Sequence, residues 1–309
     1  YDIWNECNYP AGYCYCAATV ERFVSWLRSK YGDLETLRGA WRRPGMAEWD
    51  DVSPPRRLGP YPDSLDWLEF RIDNAYEYMK WRRDIISEID PDHPVTAHGL
   101  SMSLRRLAAS GADDWRAASI VETYGVTWGS SRHGDEAWKQ PRAMDLIRNA
   151  SREKPFWHAE AYGGPLWMAP NVIGKPREEG RICRPEDIRY WNLTSYMHGA
   201  VGTFFLRWRP LLDGPLFGAF GPYGMDGGRT ERSRMSAAVA RWAQDQTELW
   251  RSRPIEGDIG ILVVPEANLF AYAQQGDASV YSECYEGAYR GFYDRNIQAD
   301  FVRIEEIND

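Results

Sequence analysis

Short apolar runs alternate with longer amphipathic ones along this chain, and the short runs close on polar or aromatic side chains. Pro94-Val-Thr-Ala-His98, Ser119–Tyr124, Pro155–Glu160 and Gly202–Trp208 read as strands, and so does Tyr1–Cys7. Between them lie helical stripes. Ala17–Tyr31 carries Val20, Phe23, Val24, Leu27 and Tyr31 on one face, and Gly32 is a fitting stop. Leu34–Trp41 reads as a second helix. A long one runs from a cap at Asp63 or Ser64 to about Ile89, after a proline-rich loop over 44–62. Ala137–Ser151, Arg184–His198 and Arg229–Arg251 complete the set. Strand–helix alternation with near-continuously apolar strands predicts parallel strands covered by helices.

The five strands up to Trp208 end in Asn5-Glu6, His98, Glu122 with Tyr124, Glu160, and Trp208 with Arg209. A (β/α)8 barrel builds its active site from the C-terminal ends of its strands. The pattern therefore predicts an α/β chain whose strand ends share one mouth. Beyond it, Glu256–Pro265 and Ala299–Val302 read as strands around a helix over Tyr285–Arg295. Residues 1–253 are thus expected to be barrel, and residues 254–309 the start of a second α/β domain.

A chain of 309 residues has room for one large barrel or two domains. A net charge of −8 argues against a nucleic-acid partner, which needs a basic footprint. No apolar run approaches the roughly 20 residues of a membrane span, and no signal peptide is visible. Five cysteines give no disulfide framework, so a cytoplasmic setting is expected. Cys14-Tyr-Cys16 is either part of a metal site, with Cys7 as a further candidate ligand, or a pair of free thiols.

Two carboxylates at the ends of strands one and four carry the strongest chemical signal. Cleaving a glycosidic bond takes one carboxyl to protonate the leaving oxygen and another to face the anomeric carbon. A separation of about 5–5.5 Å gives the retaining, covalent route. Glu6 and Glu160 fit this pair, and Asn5 is placed to hold a sugar 2-hydroxyl. Glu122 reads as a structural ion-pair partner. With 15 tryptophans, some rings are expected to stack on sugar rather than fill the core. Trp4, Trp167 and Trp208 are candidate substrate-binding residues.

Trp4-Asn5-Glu6, Cys14-Tyr-Cys16, Lys30-Tyr31-Gly32, Pro155–Glu160, His198-Gly-Ala200 and Trp208-Arg209, in this order, resemble glycoside hydrolase family 42. The resemblance implies a retaining β-glycosidase of the β-galactosidase type acting on an oligosaccharide or glycoside without a cofactor. It implies Glu6 as acid/base, Glu160 as nucleophile, Tyr124 as the residue orienting the nucleophile, and Trp208 as a stacking platform. It also implies that Trp4-Asn5-Glu6 ends the fourth barrel strand, with three strands before Tyr1. The second α/β domain would then be the family's trimerisation domain, and the protein a homotrimer. Two departures stand out. Thr19 occupies the place of the family's third clustered cysteine, so no metal is expected. Pro210–Ala219 lacks the Glu and His that help hold galactose, which leaves the sugar less defined than the reaction. A catalytically silent carbohydrate-binding barrel is the alternative. A zinc hydrolase has no HExxH-type ligand spacing to support it.

Overall fold

The computed structural model describes residues 1–9, 12–127, 136–165, 182–214, 217–251 and 254–307. Helices α1 (Ala17–Tyr31) and α2 (Leu34–Trp41) fall on the predicted spans. Gly32 ends α1 at φ 79°, its N–H donating to Arg28 O, and Asp33 caps α2 by accepting from Thr36 N at 2.8 Å. Helix α3 (Pro62–Ile89) starts two residues earlier than a cap at Asp63 would give: Tyr61 is the cap residue and Pro62 takes the first turn, where its missing N–H costs nothing. α1, α2 and α3 close on an aromatic core of Phe23, Trp41, Trp67 and Phe70 with Leu27 and Leu37. Each such side chain contributes roughly 1.5–3 kcal/mol by leaving water. At its edge the buried carboxylate of Asp66 accepts from Lys30 Nζ at 2.9 Å, Tyr31 OH at 2.8 Å and Trp41 Nε1 at 2.6 Å.

Four parallel strands form the main sheet in sequence order: β1 (Thr96–Leu100), β2 (Thr123–Thr127), β3 (Phe156–Ala161) and β4 (Thr203–Phe205). The N-terminal segment lies beside β1. Ile3 N donates to Thr96 O and Thr96 N to Tyr1 O, but only Asp2 makes a regular parallel bridge, so the expected first strand is a single rung followed by a 3-10 turn at Asn5–Cys7. Helices α4 (Ser103–Ser110), α5 (Asp114–Ile120), α6 (Lys139–Ser151) and α7 (Pro185–Met197) follow the strands. The core under β1–β3 joins Val95, Ala97, Tyr124, Val126 and Phe156 to Leu68, Met79, Ala117 and Ile147 of the helices.

The reading of Ser119–Tyr124 as a strand holds only for its last two residues. Asp113 caps α5 by accepting from Arg116 N, and Ser119 and Ile120 complete that helix. β2 begins only at Thr123. Periodicity cannot separate a strand from a helix end over so short an apolar run. Gly125 belongs to the displaced strand: a Cβ there would stand 2.7 Å from Trp157 Cδ1 and 2.9 Å from Ala159 Cβ.

The expected helix over Arg229–Arg251 is two, α8 (Glu231–Asp245) and α9 (Thr247–Arg251), and Thr230 caps the first through Ser233 N. Two parallel strands, β5 (Ile259–Val263) and β6 (Ala299–Arg303), form a separate sheet with α10 (Pro265–Gln275) and α11 (Ser279–Tyr293). This unit packs Val263, Tyr285, Tyr289 and Phe301 against Leu104, Leu146 and Ala150. Polar contacts fix the seam: Phe301 N donates to Asn149 Oδ1 at 2.9 Å, Tyr289 OH to Asp145 Oδ2 at 2.6 Å, and Arg303 Nη1 to Asp113 Oδ1 at 2.6 Å. Among the described residues, no helix is long and apolar enough to cross a membrane.

Candidate active site

Glu6 sits in the turn that ends the N-terminal segment, at φ 55° and ψ 17°, and Cys7 follows at φ 25°. The left-handed region is costly for side chains with a Cβ and is met most often where surrounding structure imposes it, at functional sites. Here Asn8 Nδ2 donates to Glu6 O at 2.8 Å, Trp4 N to Asp2 Oδ1 at 3.2 Å, and Cys7 is buried beneath. The turn holds the half-buried Glu6 and the exposed Asn5 at the end of the sheet.

Glu160 reaches the same end by a break in register. Val126 pairs with His158, but the next residue, Thr127, pairs with Glu160, skipping Ala159. A second irregularity falls between His158 and Ala161 on the β4 side. His158 faces the helices, with Nδ1 3.1 Å from Ser195 Oγ of α7. Strict alternation would send Glu160 the same way. The bulge re-aims it, and its side chain, 14% exposed, comes to 3.7 Å from His98 Nε2.

His98 and Thr127 tie these groups together. His98 Nε2 is 3.2 Å from Asn5 Oδ1, and its Nδ1 is 2.5 Å from Asp2 Oδ2. The Thr127 hydroxyl donates to Glu6 Oε1 at 3.3 Å. Asn5, Glu6, His98, Thr127 and Glu160 thus form one cluster at the C-terminal strand ends. Thr127 was hidden by the misplaced strand. His98 was visible as a polar strand end, but its link to Asp2 joins segments 96 residues apart and needs the sheet order.

Other candidates lie elsewhere. Tyr124 is not beside Glu160: it pairs in register with Phe156, is fully buried, and donates to Asp114 Oδ1 at 2.8 Å. Burial pushes the Asp114 carboxyl up to about 7 and the Tyr124 phenol well above its usual value. Glu122 lies before β2, at the opposite end of the sheet. It accepts from Val95 N at 2.9 Å and pairs with Arg83 at 3.0 Å. Trp208 stands past β4 at the Glu160 end, 58% exposed, its ring 4.9 Å from that of Tyr223. Trp4 is half-buried against Tyr76 and lines a cavity of about 490 Å³ with Asn8, Tyr9, Trp67 and Arg71. That cavity adjoins the cluster without containing Glu6 or Glu160. Trp167 lies outside the described residues.

At the metal candidate, Cys14 Sγ and Cys16 Sγ are 3.4 Å apart, and Thr19 Oγ1 is 3.3 Å from each. Hydrogen bonds from Thr19 hold the Cys16 thiol down to about 7. Two thiols and a hydroxyl do not make the four-ligand set of a structural zinc. Among the described residues no group of three or more His, Cys, Asp and Glu is placed to hold a metal.

Comparison with known proteins shows the family and the fold. Residues 1–214 match the glycoside hydrolase 42 family, described as β-galactosidase. The chain is 26% identical to the β-galactosidase Bga of Halorubrum lacusprofundi over 315 residues, covering 94% of this chain and 42% of that protein. It is also 26% identical to the β-galactosidase bgaB of Geobacillus kaustophilus over 316 residues, covering 97% and 44%. The crystal structure of a β-galactosidase from Bacillus circulans sp. alkalophilus superposes with a TM-score of 0.79 at 22% identity, covering 96% and 44%. The chain therefore spans less than half the length of these relatives. Its main sheet is part of a TIM barrel, the four strands and the N-terminal rung forming consecutive staves. By its match over residues 1–214, the chain belongs to glycoside hydrolase family 42.

Proposed function

We propose that the full-length protein is a retaining β-glycosidase, most readily a β-galactosidase, in which Glu160 attacks the anomeric carbon and Glu6 acts as acid and then base. The observation that carries this reading is the convergence of Glu6, Asn5 and Glu160 on His98 and Thr127 at one end of the sheet. Glu6 protonates the leaving oxygen as Glu160 forms a glycosyl ester. Glu6 then takes a proton from the water that hydrolyses the ester, so configuration at the anomeric carbon is kept. Asn5 meets the sugar 2-hydroxyl, and the exposed face of Trp208 offers a stacking surface. Relatives named as β-galactosidases support galactose as the sugar.

The same reading makes the protein a homotrimer assembled through the β5–β6 unit, in a cytoplasmic setting supported by five free thiols. A panel of nitrophenyl glycosides tested on the full-length protein decides activity and sugar together. Turnover of the β-galactoside above its epimers is expected, and inertness toward all of them rejects the reading. Sedimentation of the same sample tests the trimer.

A further inference from the structure

We infer that His98, held by Asp2, is a positioning residue that sets the Asn5 carboxamide for reaction, with the Glu160 carboxylate beside it. The inference rests on the glycosidase reading above and adds a residue to it. His98 is 6% exposed and lies on β1, between the two strands' worth of chain that carry Asn5 and Glu160. The Asp2 carboxylate has only acceptors to offer, so it takes an N–H from Nδ1 and fixes the plane of the ring. The other nitrogen then has one place to be: 3.2 Å from Asn5 Oδ1 and 3.7 Å from Glu160 Oε1.

In the doubly protonated imidazolium form the ring carries an N–H on both nitrogens, and the one at Nε2 donates to Asn5 Oδ1. The amide's oxygen is thereby turned inward and its NH2 group is left to face the mouth. That orientation presents a donor to the sugar 2-hydroxyl, a contact that strengthens in the transition state of glycoside cleavage. A freely rotating Asn5 would present either end of its amide, and the exposed Asn5 has no other side-chain hydrogen bond among those described. The same N–H lies next to the attacking oxygen pair of Glu160. One ring therefore spaces the group that grips the 2-hydroxyl from the group that forms the covalent bond.

The test is a coupling measurement on the full-length protein. It uses the nitrophenyl glycoside that the wild type hydrolyses fastest and the 2-deoxy analogue of the same sugar. His98→Ala is expected to lower kcat/KM for the hydroxylated substrate by roughly 10²-fold, the scale of a small misplacement in a site. For the 2-deoxy analogue it is expected to lower it by less than about threefold beyond any loss shared by both, because groups acting as a unit are non-additive. His98→Gln carries an amide N–H toward the Nε2 position and is expected to regain most of the discrimination. Asp2→Asn, which keeps an acceptor near Nδ1 but removes the charge that holds the ring, is expected to show the same selective loss on a smaller scale.

Equal losses on the two substrates in His98→Ala, or in His98→Gln and Asp2→Asn should the alanine variant fail to fold, overturn the inference and leave a structural histidine. A wild-type protein inert toward every glycoside overturns the glycosidase reading itself, and this inference with it.

Discussion

The Thr127 hydroxyl donates to Glu6 Oε1 at 3.3 Å, and Thr127 is at the same time the strand partner of Glu160. Thr127 thus meets Glu6 through its side chain and Glu160 through strand pairing, at the end of β2. The roles proposed for those carboxylates lead to separable outcomes.

Glu160→Gln is expected to abolish turnover, because an amide cannot form the glycosyl ester. Glu6→Gln is expected to spare substrates with acidic phenol leaving groups, which hardly need a proton. Azide added to Glu160→Ala gives an inverted glycosyl azide, and added to Glu6→Ala gives a retained one. NMR of the products checks both, and the reverse pattern would swap the two roles. Losses below about 10²-fold in both variants would place the active site elsewhere.

A crystal structure of the full-length protein with a bound sugar is expected to show the Glu6 and Glu160 carboxyls about 5–5.5 Å apart. A separation of about 9 Å would indicate inversion and remove the covalent step.

Metal analysis of the full-length protein is expected to find no zinc held by Cys14 and Cys16, since Thr19 contributes a hydroxyl at 3.3 Å where a thiolate is needed. One zinc per chain, at about 2.3 Å from both sulfurs, would overturn this.

His158 gives the fold an acid weakness. Burial lowers its folded-state value from 6.5 to about 4, and among the described residues its Nε2 has no hydrogen-bond partner. The unfolded chain therefore binds a proton that the folded one refuses. Stability falls as pH drops from about 6.5 toward 4. His158→Gln keeps a polar contact for Ser195 and cannot charge. Urea midpoints are expected to fall less steeply across that window in the variant, by on the order of 1–3 kcal/mol in total. Parallel pH profiles would show that His158 titrates freely.

Asp66 anchors α1 and α2 to α3 through Lys30, Tyr31 and Trp41. Asp66→Ala leaves buried donors without an acceptor and is expected to destabilise by about 3–5 kcal/mol, the scale of breaking a buried pair. Thermal unfolding measures it, and a loss under about 1 kcal/mol would show that water replaces the carboxylate.

The sequence by itself determined the elements whose signals are local. α1 and α2 match their stripes because an apolar face repeats each turn and Gly32 and Asp33 supply the stop and the cap within a few residues. It also determined that Asn5, Glu6 and Glu160 close strand-like runs, and the order of segments in the sheet. Tertiary structure decided what those residues face. Alternation alone directs Glu160 toward α7 with His158. Only the skipped residue between β2 and β3 turns it to His98, and a skip in register exists only once the two strands are paired. Tyr124 and Glu122 were misplaced for the same reason in reverse: a cap at Asp113 extends α5 into a run that reads as strand, and β2 slides toward the mouth until Thr127 stands at its end. Pairing Asp2 with His98 likewise needs two segments 96 residues apart to lie side by side, and long-range hydrogen bonds leave no periodic trace in a single chain.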